Sequence, residues 1–155
     1  MSHFNSRGHR KGLATYFPPG FRVLKDVAHD RFQMSSVSSD KIIITNVYRS
    51  KDAGQDFMDA LTSFIQDKSK IHILLGDWNF CQRDEMDHPV KIFLQNNDFE
   101  TGFSLPQASH IKGRCLDQIY IYFPNKKLEY KTSVKVCIYS DHEPISIKFK
   151  IDIIE

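Results

Sequence analysis

Cysteine is scarce in this 155-residue sequence, and its placement excludes more than it suggests. Cys81, Cys115 and Cys137 are odd in number, far apart in sequence and form no CxxC pair, which argues against a zinc ribbon or a disulfide framework and for a reducing compartment. Long apolar runs are missing too. None would span a bilayer, so no membrane association is expected, and the N-terminus lacks the apolar core of a secretion signal. The expected location is intracellular, nuclear or cytoplasmic. Nor is there an excess of one charge: the net charge of +2 does not announce a nucleic-acid partner, though a local basic face would suffice for one. Repeats, low-complexity tracts and interdomain linkers are absent as well. What remains is ordinary for a globular protein, 41% hydrophobic and 26% charged, and the length suits one domain over residues 1–155.

Periodicity divides the chain into elements. Residues 1–11 are polar and basic and read as a flexible loop. A short strand at 12–17 ends on Pro18, Pro19 and Gly20. Residues 21–27 and 31–37 alternate as half-buried antiparallel strands do, and the isoleucine-rich 41–50 reads as a more deeply buried strand. Between residues 52 and 70 the period changes. Phe57, Leu61, Phe64 and Ile65 share a helical face, with Lys68 and Lys70 near the expected C-terminal end. A buried strand follows at 71–75, then a helix over 86–97 with Pro89 in its first turn and Val90, Phe93 and Leu94 inward. Residues 115–123, 127–138 and 144–153 alternate again as strands. The expected class is α/β (α+β) with mixed strand directions and two helices.

Four stretches carry groups suited to chemistry. In Gly-Asp-Trp-Asn, Asp77 and Asn79 would project together from a strand end if the chain stays extended there, and could position a water and an anionic oxygen. The same residue types equally suit a turn. In Ser-Asp-His-Glu-Pro, Asp141 offers a metal or phosphate ligand, and His142 a general acid, a base or a stabiliser of developing charge; a turn before the last strand would use the same residues. Asp117 opens an apolar strand and is a candidate orienting partner for His142, or else an edge acid facing water. Tyr48 and Arg49 leave a buried strand together, and a phenol and a guanidinium can each donate to a phosphate oxygen. Asn46 and Arg114 complete the expected phosphate-binding set.

The order of these stretches resembles the endonuclease/exonuclease/phosphatase superfamily, which includes apurinic endonucleases and pancreatic deoxyribonuclease. The resemblance runs from about Gly12 to the C-terminus and is carried by GDWN, LDQIYI and SDHEP. GLATYF, TNVYRS and the aromatic within GDWN resemble the endonuclease domains of retroelements. The resemblance implies a two-sheet β-sandwich flanked by helices, with the active site at one end. It implies that Asp77 orients or deprotonates the attacking water, that Asn79 and Tyr48 contact the phosphate, and that Asp117 holds His142, which stabilises the transition state. Asp141, with Asp77, would ligate Mg²⁺ or Mn²⁺. DNA is the implied partner, with RNA as an alternative.

Two family motifs precede the strand that GLATYF resembles: a strand ending in asparagine and one ending in a metal-binding glutamate. Only residues 1–11 precede Gly12 here, and they contain no acid. The N-terminal strands of the family fold are therefore expected to be missing. Exposed sheet edges would then favour self-association, and activity would be weak. An inactive remnant, or a nucleic-acid-binding module of a mobile element, is the alternative, as is a phosphatase or lipid phosphodiesterase of the same superfamily.

Overall fold

The isoleucine-rich segment Ile42–Arg49 lies at the centre of a six-stranded sheet, where few of its side chains reach solvent. This computed structural model describes residues 2–5, 13–104, 107–125 and 129–149. Along them run strands β1 (Ser2–Asn5), β2 (Ala14–Phe17), β3 (Arg22–His29), β4 (Phe32–Ser38) and β5 (Ile42–Arg49). Helix α1 (Gln55–Phe64) and β6 (Ile71–Asp77) follow. The chain continues through α2 (Pro89–Asn96), β7 (Glu100–Thr101), β8 (Asp117–Tyr122), β9 (Tyr130–Val134) and β10 (Ile145–Phe149). The large sheet has the order β3-β4-β5-β6-β8-β7; β1 pairs with β2, and β9 with β10. Strands β5 and β6 are parallel and joined through α1, while the other pairs are antiparallel. The result is the expected mixed α/β class.

Side chains alternate between the two faces of the large sheet, and each face has its own core. Met34, Val47, Leu74 and Tyr120 pack with Phe57, Leu61 and Phe64 of α1 and with Val90 and Leu94 of α2. On the other face, Ile42, Ile73, Ile119 and Ile121 pack with Phe103, and the β9–β10 ribbon covers them with Tyr130, Val134, Ile145, Ile147 and Phe149. A sheet covered on both sides explains why β4 is buried throughout, polar residues included; Ser36 and Thr45 pair their hydroxyls at 2.6 Å inside it.

Several expectations needed correction. Strand β3 is not half-buried but mostly exposed, because it forms the sheet edge; β4, beside it, is not half-buried but fully buried. Residues 2–5, expected within a loop, form a strand with β2. Helix α1 ends at Phe64 without a basic last turn. Lys68 instead lies 4.0 Å from the Tyr122 ring centroid and donates to the Asn97 carbonyl, tying the α1–β6 connection to β8 and to the end of α2. Residues 127, 128 and 150–153 of the last two expected strands lie outside the described residues. Cys81 and Cys115, distant in sequence, are neighbours: the Cys115 amide donates to Cys81 Sγ at 3.4 Å. Among the described residues no helix is long and apolar enough to cross a membrane.

Candidate active site

Residues paired across a sheet point to the same side, so strand register reads out as rows of neighbouring side chains. Gln33, Tyr48, Asp77 and Asp117 are successive partners across β4, β5, β6 and β8. The row lies at the C-terminal ends of β5 and β6, on the same face as the isoleucines, where that face turns from apolar to polar. All four residues line a cavity of about 850 Å³, together with Asn46, Asp141 and His142. Gln33, buried in β4, was not singled out from sequence; its only signal is an amide in a strand that is otherwise apolar and small.

Gly76 permits the row to form. Its φ is +141°, and a Cβ built there would stand 1.9 Å from the Val47 carbonyl oxygen. The glycine thus lets β6 approach β5 just before Asp77, a close backbone approach that excludes any side chain. The strand then stops. Asn79 adopts φ +53°, its amide donates to Asp77 Oδ1 at 3.0 Å, and its side-chain nitrogen donates to Asp77 Oδ2 at 3.1 Å and to the Arg49 carbonyl at 2.8 Å. An Asx turn, not an extended strand, brings Asp77 and Asn79 together. Trp78 is the pin of this turn. Fully buried, it donates through Nε1 to the Gln118 carbonyl and meets Tyr120 and Phe57 edge to face.

His142 arrives from the β9–β10 connection. Its Nδ1 lies 2.7 Å from Asp117 Oδ2, and its Nε2 lies 4.0 Å from Asp77 Oδ2. The imidazole therefore stands between two carboxylates, about a third exposed, while Asp117 and Asp77 keep 13% and 19% of their side-chain surface. Burial works to lower the His142 pKa, but the Asp117 hydrogen bond and charge, then Asp77 and Asp141, outweigh it, and the net shift is upward. Asp77 is raised as well, first by burial and then by the Asp117 charge, against the opposing pull of the Asn79 amide, His142 and His110.

Not every expected residue joins the cluster. Arg49 is a correction: its guanidinium is buried and donates to the carbonyls of Trp78 at 3.1 Å and Ala53 at 3.2 Å, so it clamps the turn and does not line the cavity. Arg114 pairs with Glu85 at 3.1 Å and does not line the cavity. Asn79, expected on a phosphate, directs its side-chain nitrogen to Arg49 and Asp77 and is likewise absent from the cavity wall. Asn46 does line it, with its amide donating weakly to the Ala14 carbonyl at 3.3 Å. The sequence reading passed over His110. Its ring meets His142 edge to face at 5.0 Å, and its Nε2 lies 3.7 Å from Asp141 Oδ2.

The donor set suits a cation. Asp77, Asp117 and His142 present ligand atoms within 4.8 Å of one another, and so do His110, Asp141 and His142. Asp77 and Asp141, expected as joint ligands, thus belong to different groups that share His142. Two carboxylates facing each other with one imidazole between them hold more negative charge than they neutralise, which fits a divalent ion.

No protein-family model matches the chain, and no curated protein sequence does. Solved structures do match. The Haemophilus ducreyi cytolethal distending toxin superposes with a TM-score of 0.68 at 14% identity, over 96% of this chain and 68% of the other. An endonuclease/exonuclease/phosphatase family protein from Leptotrichia buccalis C-1013-b gives 0.58 at 18% identity, over 97% and 71%. The chain has the endonuclease/exonuclease/phosphatase fold. It also superposes on CdtB, the biologically active subunit of cytolethal distending toxin, with a TM-score of 0.60 at 16% identity. The match takes in 90% of this chain and spans only 60% of CdtB.

Proposed function

We propose that the chain hydrolyses phosphodiester bonds in DNA with the help of a divalent ion. One observation carries the reading: in an open cavity, a carboxylate and an imidazole face each other at 4.0 Å, and a second carboxylate fixes the imidazole from behind at 2.7 Å. Phosphoryl transfer needs an aligned water and stabilisation of charge on the phosphoryl oxygens. Asp77, held by the Asn79 turn, orients the water and draws its proton. His142 keeps one N–H on Asp117 and, when protonated, directs the other to a phosphate oxygen. The same partners that raise its pKa favour that charged form. Tyr48, next to Asp77 in the row, donates its phenol to a second oxygen. Asn79 acts through Asp77, as its hydrogen bonds imply. Asp77 would hold Mg²⁺ or Mn²⁺ with Asp117 of its own group, in place of the expected Asp141, and the ion when bound would supply charge neutralisation at the phosphate.

The test is nicking of supercoiled plasmid with Mg²⁺ or Mn²⁺. Asp77→Asn and His142→Ala should each abolish cleavage. Wild-type protein that leaves plasmid intact but hydrolyses phosphoinositides or sphingomyelin would move the substrate to lipid, and activity that survives His142→Ala would remove the assigned role.

A further inference from the structure

The loop before β8 brings a second imidazole, His110, against His142 behind the cavity wall, and the proposed hydrolysis gives it no work. His110 and His142 are antiparallel bridge partners, so their backbones are fixed relative to each other. Further bonds brace the pair. The Ser109 and His110 amides both donate to the Arg114 carbonyl, Ile111 donates to the Asp141 carbonyl, and Glu143 donates to the Ser109 carbonyl. On this frame, one ligand atom each from His110, Asp141 and His142 lie within 4.8 Å of one another.

That spacing suits a small tetrahedral ion. Bonds of about 2.0–2.2 Å separate tetrahedral ligands by roughly 3.4 Å. The His110 Nε2 to Asp141 Oδ2 distance of 3.7 Å is already close to this. The Asp141 side chain, 66% exposed, has room to shorten its own distances by rotation, and the two imidazole nitrogens already lie within the same 4.8 Å. His142 has Nδ1 engaged by Asp117, the carboxylate–imidazole arrangement that orients a metal-binding ring, which leaves Nε2 for the ion. Two nitrogens and one oxygen select a borderline ion such as Zn²⁺ or Co²⁺ over Mg²⁺, which prefers oxygen alone. The open cavity leaves a fourth position for water.

We propose that His110, Asp141 and His142 form a binding site for a zinc-class divalent ion, and that its occupancy shuts off hydrolysis by taking Nε2 of His142. The second half rests on the proposed function; the first does not. In the ion-free site His110 Nδ1 accepts the Lys112 amide at 3.1 Å, so the neutral ring carries its proton on Nε2. Binding moves that proton to Nδ1 and turns the exposed Lys112 amide to water.

Cobalt(II) titrated into the full chain tests the site without reference to catalysis. A single site with visible ligand-field absorption, displaced by Zn²⁺, is the expected result. His110→Ala and Asp141→Asn should each weaken it by at least roughly tenfold, with thermal melting unchanged. His110→Asn, which keeps an acceptor for the Lys112 amide, should do the same and guards against a folding defect. Unchanged cobalt affinity in these variants, or intense thiolate charge-transfer bands from cysteine ligation, would overturn the site. Zn²⁺ added to Mg²⁺-supported nicking should inhibit, with the half-inhibiting concentration raised by at least roughly tenfold in His110→Ala; cleavage indifferent to bound Zn²⁺ would overturn the shut-off. Cobalt binding as expected in a chain that never cleaves DNA would keep the site and remove the nuclease reading instead.

Discussion

Gly76→Ala tests the link between backbone packing and the placement of Asp77. The new Cβ would stand 1.9 Å from the Val47 carbonyl oxygen and 2.9 Å from its carbon, against an ordinary contact of 3.4 Å or more. Strands β5 and β6 must therefore part by about 1.5 Å at this point, or Gly76 must leave its φ of +141° and carry Asp77 with it. Holding an alanine at such a φ costs about 1–3 kcal/mol. Breaking one or two ladder hydrogen bonds beside it adds about 1 kcal/mol each. A total near 3 kcal/mol lowers the melting temperature of a domain this size by roughly 6–12 °C. The chemistry should suffer more than the fold, because a displacement of about 1 Å at a reacting group costs on the order of a hundredfold in rate. Circular dichroism melting and plasmid nicking measure the two effects. A melting temperature within about 2 °C of wild type, with cleavage intact, would show that the glycine is mere turn punctuation and that the close approach positions nothing.

Asp117→Asn keeps the shape of the site but removes the charge behind His142. A hydrogen bond to a charged group is worth about 1.5–3 kcal/mol, so cleavage at saturating DNA should fall roughly 10- to 150-fold with DNA affinity little changed, and a rate near wild type would refute the orienting role. Arg49→Lys should lower the melting temperature, since a lysine cannot reach both the Trp78 and Ala53 carbonyls with one fork; it should leave the salt dependence of DNA binding alone, and a slope reduced by about one would return Arg49 to the phosphate backbone. His72 gives a pH signature remote from the site. It is fully buried, and burial lowers its pKa against the opposing hydrogen bond to the Asp67 carbonyl. The folded state thus holds it neutral while the unfolded state protonates it near 6.5, so its contribution is complete above that pH and is lost as pH falls through 6.5 towards the folded value. Urea unfolding across this window should show stability dropping by up to about 1.4 kcal/mol per pH unit from this group, and an equally steep drop in His72→Phe would exclude it as the source.

Much of the fold was legible because hydrophobic period and strand register are local properties. Ile42–Arg49 and Ile71–Asp77 read as buried strands and lie at the centre of the sheet, and Phe57, Leu61 and Phe64 read as a helix face and form one. Burial was less legible, because it depends on neighbours in the sheet: β3 and β4 alternate alike in sequence, yet one is an edge and the other is covered on both faces. The site divides the same way. Asp77, Asp117 and His142 carry their signal in short motifs, and the structure joins them within hydrogen-bond or near-contact distance.

Arg49 and His110 show what a motif leaves out. Both are polar groups whose meaning depends on where a distant segment lies. Arg49 follows Tyr48 in sequence, but successive strand residues face opposite sides, so a phenol in the cavity requires the guanidinium beneath it to point into the helix-covered core. Period two alone could have predicted that correction. His110 could not have been found this way. It lies in an irregular loop, 32 residues from His142, and only the bridge between the two backbones makes them neighbours. Asp141 belongs with both: it sits beside His142 in sequence and beside His110 in space. A single carboxylate between two imidazoles therefore connects the part of the site written in a motif with the part made by the fold. The metal preference of the chain should reveal which part governs it. Oxygen-dominated Mg²⁺ binding would follow the motif, and nitrogen-dominated Zn²⁺ or Co²⁺ binding would follow the loop.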